Sequence, residues 1–210
     1  MKKPNFVSVD PGLKDGEGKF ALFVGRLAGE KGIQTLLDAW TKHSLPYPLK
    51  ILGDGPDADI VKNAAEKIDN IEWLGRVSNE EVYQWMGRAA CLVFPSVGYE
   101  SLPKTLIESM AVGTPVIGAD TASVPEVVLD GETGIIFKGG DADSMATAIH
   151  EFFAGEGSWQ AMRVRCRQEF EARFTAAQNY QQLIEIYREA MRRKGLTPPD
   201  ERTDLSLIHI

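Results

Sequence analysis

The segment Pro95-Ser96-Val97-Gly98-Tyr99-Glu100-Ser101-Leu102-Pro103-Lys104-Thr105-Leu106-Ile107-Glu108 carries two glutamates separated by seven residues, where an apolar run gives way to an amphipathic one. Ionised carboxylates accept hydrogen bonds and donate none, so a pair of them suits a ligand rich in hydroxyls. Ala90-Cys91-Leu92-Val93-Phe94 predicts a buried strand, and Pro103 suits the first turn of the helix that follows. Glu100 then falls on the connecting loop and Glu108 one to two turns into the helix. Both can border one crevice at the carboxyl end of a parallel strand, where open α/β sheets bind ligands. Taken alone, Glu100 would serve equally as a helix-entry carboxylate and Glu108 as a solvated helix-face residue. Yet Glu108 stands among Leu106, Ile107, Met110 and Ala111, an apolar setting in which an unpartnered carboxylate is expensive. A hydroxyl partner accounts for it, and the spacing points to a sugar-nucleotide site.

Two further loops follow predicted strands: Gly25-Arg26-Leu27-Ala28-Gly29-Glu30-Lys31-Gly32 and Gly53-Asp54-Gly55-Pro56. Gly25 lets a backbone approach an anion, and Arg26 and Lys31 flank a helix entry, where unpaired N–H groups and the helix dipole favour phosphate. An arginine grips a diphosphate in fork geometry and a lysine supplies a point charge. The plain alternative is a pair of solvated charges beside a structural glycine turn. Convergence with the glutamate segment favours the anion site.

The elements that must position these residues alternate. Phe20-Ala21-Leu22-Phe23-Val24 predicts a buried strand, and Ile33, Leu36, Leu37 and Trp40 mark the face of a helix. Leu49-Lys50-Ile51-Leu52 precedes a helix over 57–68, and Ile71-Glu72-Trp73-Leu74 one over 79–88 that opens on the capping box Ser78 and Glu81. Two more strands, Pro115–Gly118 and Gly134–Phe137, are followed by helical patterns, one with Met145, Ala148, Ile149, Phe152 and Phe153 on a single stripe. A last helix opens at Thr175, carries Tyr180, Leu183, Ile184, Tyr187 and Met191 on one face and packs outside the sheet. Strands that read as continuous apolar runs between helices predict an α/β fold, a doubly wound, mostly parallel, Rossmann-like sheet in a single domain.

Composition narrows the partners. Among 210 residues, 30 acidic side chains exceed 23 basic ones and no basic block stands out, which argues against nucleic acid. Cys91 and Cys166 show neither metal spacing nor a disulfide framework, so a reducing cytoplasm is expected. No apolar run approaches the roughly 20 residues of a membrane span. His43, His150 and His209 lie outside every motif.

On these residues the chain resembles the C-terminal, donor-binding domain of a family-four glycosyltransferase of the GT-B fold, from about Asn5 to Arg193. The resemblance rests on Phe23–Leu27 with Glu30-Lys31-Gly32, Leu52–Pro56, Leu74-Gly75-Arg76-Val77, and Glu100 to Glu108 with Ser109–Val116. It implies a retaining, metal-independent transfer of a hexose from a nucleoside diphosphate sugar, with no other cofactor, in surface glycan or lipopolysaccharide synthesis. It implies that Arg26 and Lys31 hold the donor diphosphate, that Glu100 touches the transferred sugar, and that Glu108 binds the ribose. It brings the backbone of Gly25 and of Ser101, Leu102, Pro103, Lys104 and Thr105 near sugar and phosphates, with the base near Arg76 and Val77. Many members have glycine where Ser101 and Pro103 stand here, and Pro103 has no N–H to give.

The expected organisation is an inter-domain connector remnant over 1–18, a nucleotide-sugar-binding domain over 19–194 and a polar tail over 195–210. The tail's Leu205-Ser206-Leu207-Ile208-His209-Ile210 resembles a translated sequencing adapter. The resemblance further implies that an N-terminal acceptor-binding domain is missing, that the fragment transfers nothing efficiently alone, and that the full-length enzyme sits at the inner membrane surface. The competing reading is a non-catalytic nucleotide or nucleotide-sugar binding module. A dinucleotide oxidoreductase or response-regulator domain fits poorly, since no Gly-x-Gly-x-x-Gly follows the first strand and no acidic phosphoacceptor cluster is present.

Overall fold

The computed structural model describes residues 3–14, 16, 18–99, 101–155 and 158–197. Glu100 and the segment 198–210, on which some of the expectations above fall, lie outside the described residues. Six strands form one sheet: β1 (Ala21–Val24), β2 (Leu49–Leu52), β3 (Ile71–Gly75), β4 (Cys91–Phe94), β5 (Val116–Ala119) and β6 (Gly134–Phe137). Between and after them run α1 (Ile33–Lys42), α2 (Ala58–Lys67), α3 (Asn79–Arg88), α4 (Lys104–Ala111), α5 (Val124–Val127), α6 (Ala142–Ala154), α7 (Ser158–Arg173) and α8 (Ala176–Arg193).

The sheet is parallel throughout, in the order β3-β2-β1-β4-β5-β6. Parallel strands must be covered on both faces, and alternate side chains of each strand enter different layers. Phe23 joins Leu36, Trp40, Val61 and Ile149 on the face covered by α1, α2 and α6. Its neighbour Leu22 joins Met86, Leu106, Met110 and Phe170 under α3, α4 and α7. Cys91 lies in the first layer and Cys166 in the second, both as buried free thiols.

Strand order reverses between β1 and β4. Whereas β1 and β2 pair along all four residues, β1 and β4 are in register only at Ala21 with Cys91 and Leu22 with Leu92. The carboxyl ends of β1 and β4 are therefore unpaired with each other, and a crevice opens at this switch point.

The loops at that edge are stitched together. The Leu27 N–H donates to the Asp54 carbonyl (3.0 Å), the Asp57 N–H to that of Leu27 (2.9 Å) and the Gly53 N–H to that of Gly75 (2.8 Å). Across the crevice, the Val97 and Gly98 N–H groups and the Ser96 hydroxyl all donate to the Glu30 carbonyl. Thr121 carries the chain on to the Ser96 carbonyl, and Gly139 N–H to the Asp120 carboxylate. Two glycines make the close approach possible. A Cβ on Gly53 (φ +139°) would sit 1.8 Å from the Gly25 carbonyl oxygen, and one on Gly32 (φ +73°) 2.1 Å from that of Pro95.

Three expectations need correction. Pro103 is the N-cap of α4, in extended backbone, and not part of its first turn. The helical pattern expected after β5 is present as the four-residue α5, whereas α7 adds a sixteen-residue helix that the alternation above did not include. The inward face of α8 also differs: Tyr180 and Tyr187 are exposed, while Asn179 is buried. Asn179 accepts from Lys3 Nζ (2.9 Å) and donates to the Pro4 carbonyl (3.0 Å), so a polar side chain fixes the helix against the amino-terminal segment. That segment is also held at Asp10, whose carboxylate takes both terminal nitrogens of Arg167 on α7.

Gly53→Ala is expected to cost about 2–4 kcal/mol, because a Cβ there meets backbone and the conformation is strained for an L side chain. A urea unfolding midpoint lowered accordingly, with unchanged slope, would confirm that the loops are locked by backbone contact; an unchanged midpoint would show that they are not.

Candidate functional site

Four clefts receive the residues singled out above. The first, of about 360 Å3, lies at the switch point and is lined by Gly25, Arg26, Lys31, Pro95, Ser96, Pro103, Lys104 and Thr105, over a floor of Phe23, Val24 and Phe94. The second, about 280 Å3, shares Val24, Gly25 and Arg26 with it and adds Gly53, Asp54, Arg76, Val77 and Val82. The two are therefore continuous through the Gly25-Arg26 backbone. The third, about 460 Å3, shares Val82 with the second and contains Glu108, Tyr83, Asn79, Glu80 and Lys14. Ser101 and Leu102 line a fourth, about 780 Å3, towards α5 and α8.

Most of the expected residues thus gather along one connected groove, but not as one patch. Pro103, Lys104 and Thr105 face the first cleft while Ser101 and Leu102 turn to the fourth, where Asn5 donates to the Leu102 carbonyl (2.7 Å). Glu108 reaches the groove only at its Val82 end.

The helix that borders the first cleft lacks a side-chain cap. Ser78, Asp141 and Thr175 cap α3, α6 and α8 with their side chains. The N-cap of α4 is Pro103, which makes no side-chain cap, so the first-turn N–H groups at Lys104 and Thr105 keep their hydrogen-bonding capacity. The N-cap of α1 is Gly32, again without a side-chain cap. Arg26 forms an ion pair with Glu30, and both side chains are largely exposed. Such a pair is worth ~0–1 kcal/mol, so a diphosphate can recruit the guanidinium at little cost. Lys31, half-buried, stands on the same wall.

Glu108 is of a different character. Burial pushes its carboxyl above the ordinary glutamate range; the nearby Lys104 charge and a hydrogen bond from Tyr83 work against that rise. Tyr83 is shifted upwards in turn, first by burial and then by the Glu108 charge and their shared hydrogen bond. Lys14, Asn79, Glu80, Val82 and Tyr83 line the groove without having been singled out as site residues from the sequence. Tyr83 follows Asn79 by one helical turn at the start of α3, but only the packing of α3 beside α4 shows that it meets Glu108. Among the described residues, no group of three or more His, Cys, Asp or Glu side chains is gathered that could hold a metal ion.

An all-parallel sheet whose strand order reverses between β1 and β4, covered by helices on both faces, defines a Rossmann-like domain of the fold seen in GT-B glycosyltransferases. The chain belongs to the family described as glycosyl transferases group 1, whose model matches residues 8–173. It is 30% identical over 157 residues to the lipopolysaccharide 1,6-galactosyltransferase of Escherichia coli K12, which covers 71% of this chain and 44% of that one. It is 33% identical over 157 residues to a phosphatidyl-myo-inositol mannosyltransferase of Mycolicibacterium smegmatis, covering 70% of this chain and 41% of the relative. The chain therefore spans less than half the length of these curated relatives. In fold it resembles Anabaena HepE, solved in complex with UDP, with a TM-score of 0.73, 21% identity and coverage of 82% of this chain and 49% of the other. Among the described residues no helix is long and apolar enough to cross a membrane.

Because the folded-state pKa of Glu108 is raised, its stabilising contribution is complete below the unfolded glutamate value of 4.5 and is lost as pH rises through the folded value. At neutral pH the ionised side chain therefore costs stability. Glu108→Gln should raise the ligand-free unfolding free energy at pH 7 by about 0.5 kcal/mol, residual water contact screening the rest. The gain should shrink below the ordinary glutamate range; urea unfolding at a series of pH values reads both.

Proposed function

We propose that this chain is the donor-binding, C-terminal half of a retaining, family-four glycosyltransferase that moves a hexose from a nucleoside diphosphate sugar to an acceptor held by a separate N-terminal domain. The observation that carries the reading is the first cleft: Arg26, Lys31 and the uncapped N-terminus of α4 border one volume, which continues past Gly25 into the cleft of Arg76 and Val77. A diphosphate fits the first volume and a nucleoside the second. UDP is the first nucleotide to try, since HepE was solved with it.

In this reading the chemistry is electrostatic. As the bond between the anomeric carbon and the diphosphate breaks, negative charge grows on the departing phosphate oxygens. Arg26 meets it with a fork of donors, Lys31 with a point charge and α4 with its first-turn N–H groups, all fixed before the reaction begins. Glu100 attends the transferred sugar, and Glu108 accepts from the ribose hydroxyls. No metal takes part. The product belongs to a surface glycan or lipopolysaccharide, made at the cytoplasmic face of the membrane. The domain spans 19–194, after a connector over 1–18.

Calorimetric titration with UDP, GDP and ADP is the test. Saturable binding to one of them is expected, weakened by about 1.5–3 kcal/mol in Glu108→Ala, which strips a hydrogen-bonded charged group from the ligand. When the chain is fused to an acceptor domain, Arg26→Ala or Lys31→Ala should cost roughly 2–4 kcal/mol in kcat/KM, the range for a preorganised donor lost from a developing oxyanion. A folded domain that binds none of the three would overturn the reading.

A further inference from the structure

The fourth cleft, at about 780 Å3 the largest of the four, has no part in the function proposed so far. Three features that a folded chain ordinarily avoids meet on its walls. Gln182 of α8 lines it with a side-chain Oε1 that is buried and receives no hydrogen bond, although buried acceptors are almost always satisfied. Ala122, in the turn after β5, holds a left-handed backbone (φ +48°) that an L side chain adopts only at a cost. Tyr99 presents a ring that is 91% exposed. The walls themselves are fixed. Beside Ala122, the Thr121 hydroxyl donates to the Ser96 carbonyl (2.7 Å), and Asn5 donates to the carbonyl of Leu102 (2.7 Å).

The chemistry of the walls decides what fits. Their cations are committed: Lys3 Nζ donates to Asn179 Oδ1 (2.9 Å), and Arg173 donates to the Glu126 carbonyl (3.0 Å) and pairs with Glu169 (3.4 Å). Glu126 is engaged as well. What is left over is neutral: the Gln182 amide, the exposed Ser101 hydroxyl and the bare face of Tyr99. A ligand that answers them brings hydroxyls and an apolar face, and no net charge. A hydroxyl both donates and accepts, so it serves the Gln182 amide in either orientation. A pyranose carries hydroxyls around its edge and C–H groups on its face, and the C–H groups pack against an aromatic ring. We propose that the fourth cleft is a carbohydrate subsite, which holds a neutral sugar residue of the acceptor beside the donor. The place beside the donor rests on the functional reading given above; the sugar chemistry rests on the cleft alone. Leu102 lines the fourth cleft and Pro103 the first, so the two volumes are neighbours across a single peptide. The donor half thereby takes part in holding the acceptor as well.

Two-dimensional NMR on the isotope-labelled chain tests this, with the Gln182 side-chain amide as a direct reporter and methyl α-glucoside, methyl α-galactoside and methyl α-mannoside as probes. At least one probe is expected to shift that amide and the backbone signals of Tyr99, Ser101 and Leu102 saturably, with a Kd on the order of 1 mM, the usual efficiency for a ligand of that size. Tyr99→Ala and Gln182→Leu should each weaken it about tenfold, in spectra that otherwise show a folded chain. Glucose 6-phosphate should bind no more tightly than methyl α-glucoside, and tighter binding overturns the neutral class. If Gln182 is only an unpaired structural group, Gln182→Leu raises the urea midpoint while the glycoside shifts persist undiminished, which refutes its role. Absence of shifts with all three glycosides refutes the subsite, and saturable UDP binding by the same chain then leaves the donor reading standing. Glycoside binding without UDP binding upholds the sugar site and overturns its place beside a donor.

Discussion

Contact of backbone with backbone along the carboxyl edge of the sheet is the constraint on which the rest depends. The carbonyl of Gly25 lies where a Cβ of residue 53 would be, and the Glu30 carbonyl collects donors from Ser96, Val97 and Gly98. The loops after β1, β2, β4, β5 and β6 are each hydrogen-bonded to a neighbouring loop. Such links cross the crevice at the point where β1 and β4 stop pairing, so the opening made by the strand order is spanned by hydrogen bonds instead of being left to fluctuate. Groups that must meet a ligand without rearranging gain from such a frame, since catalysis by fixed dipoles depends on their not having to move.

Two electrostatic settings coexist within one groove. Arg26 and Glu30 form an exposed ion pair that water and salt weaken, which leaves the guanidinium easy to recruit. Glu108 is half-buried, and burial pushes its carboxyl upwards against the opposing pull of Lys104 and Tyr83. The first setting suits the end of a ligand that carries full charge; the second suits hydroxyls, for which a dehydrated acceptor is worth more than a hydrated one.

Much of this was legible in the sequence because it is local. Short apolar runs between amphipathic stretches gave all six strands to within a residue or so, and the Ser78 and Glu81 box gave the start of α3. Arg26, Lys31 and the residues after Pro103 could be grouped because each follows a strand in a parallel sheet, and such loops share an edge. What escaped depends on packing between distant segments. Tyr83 meets Glu108 only because α3 and α4 lie side by side. The inward face of α8 was misread because its aromatic and aliphatic residues suggested one stripe, whereas the buried position is Asn179, satisfied by Lys3 and Pro4 over 170 residues earlier. The division of Ser101 and Leu102 from Pro103, Lys104 and Thr105 follows from the turn into α4, which no residue type announces.

The two cysteines lie on opposite sides of the sheet, Cys91 in β4 under α1 and α6, Cys166 in α7 over α4. Burial drives the Cys91 thiol far above its usual range and the Cys166 thiol up to about 12, so neither offers a thiolate to a reagent while its layer is closed. The molecule consequently carries a natural reporter in each half of its interior. The rate at which a disulfide reagent modifies each sulfur measures how often that half opens, and the comparison of the two distinguishes a sheet that releases its helices layer by layer from one that gives way all at once.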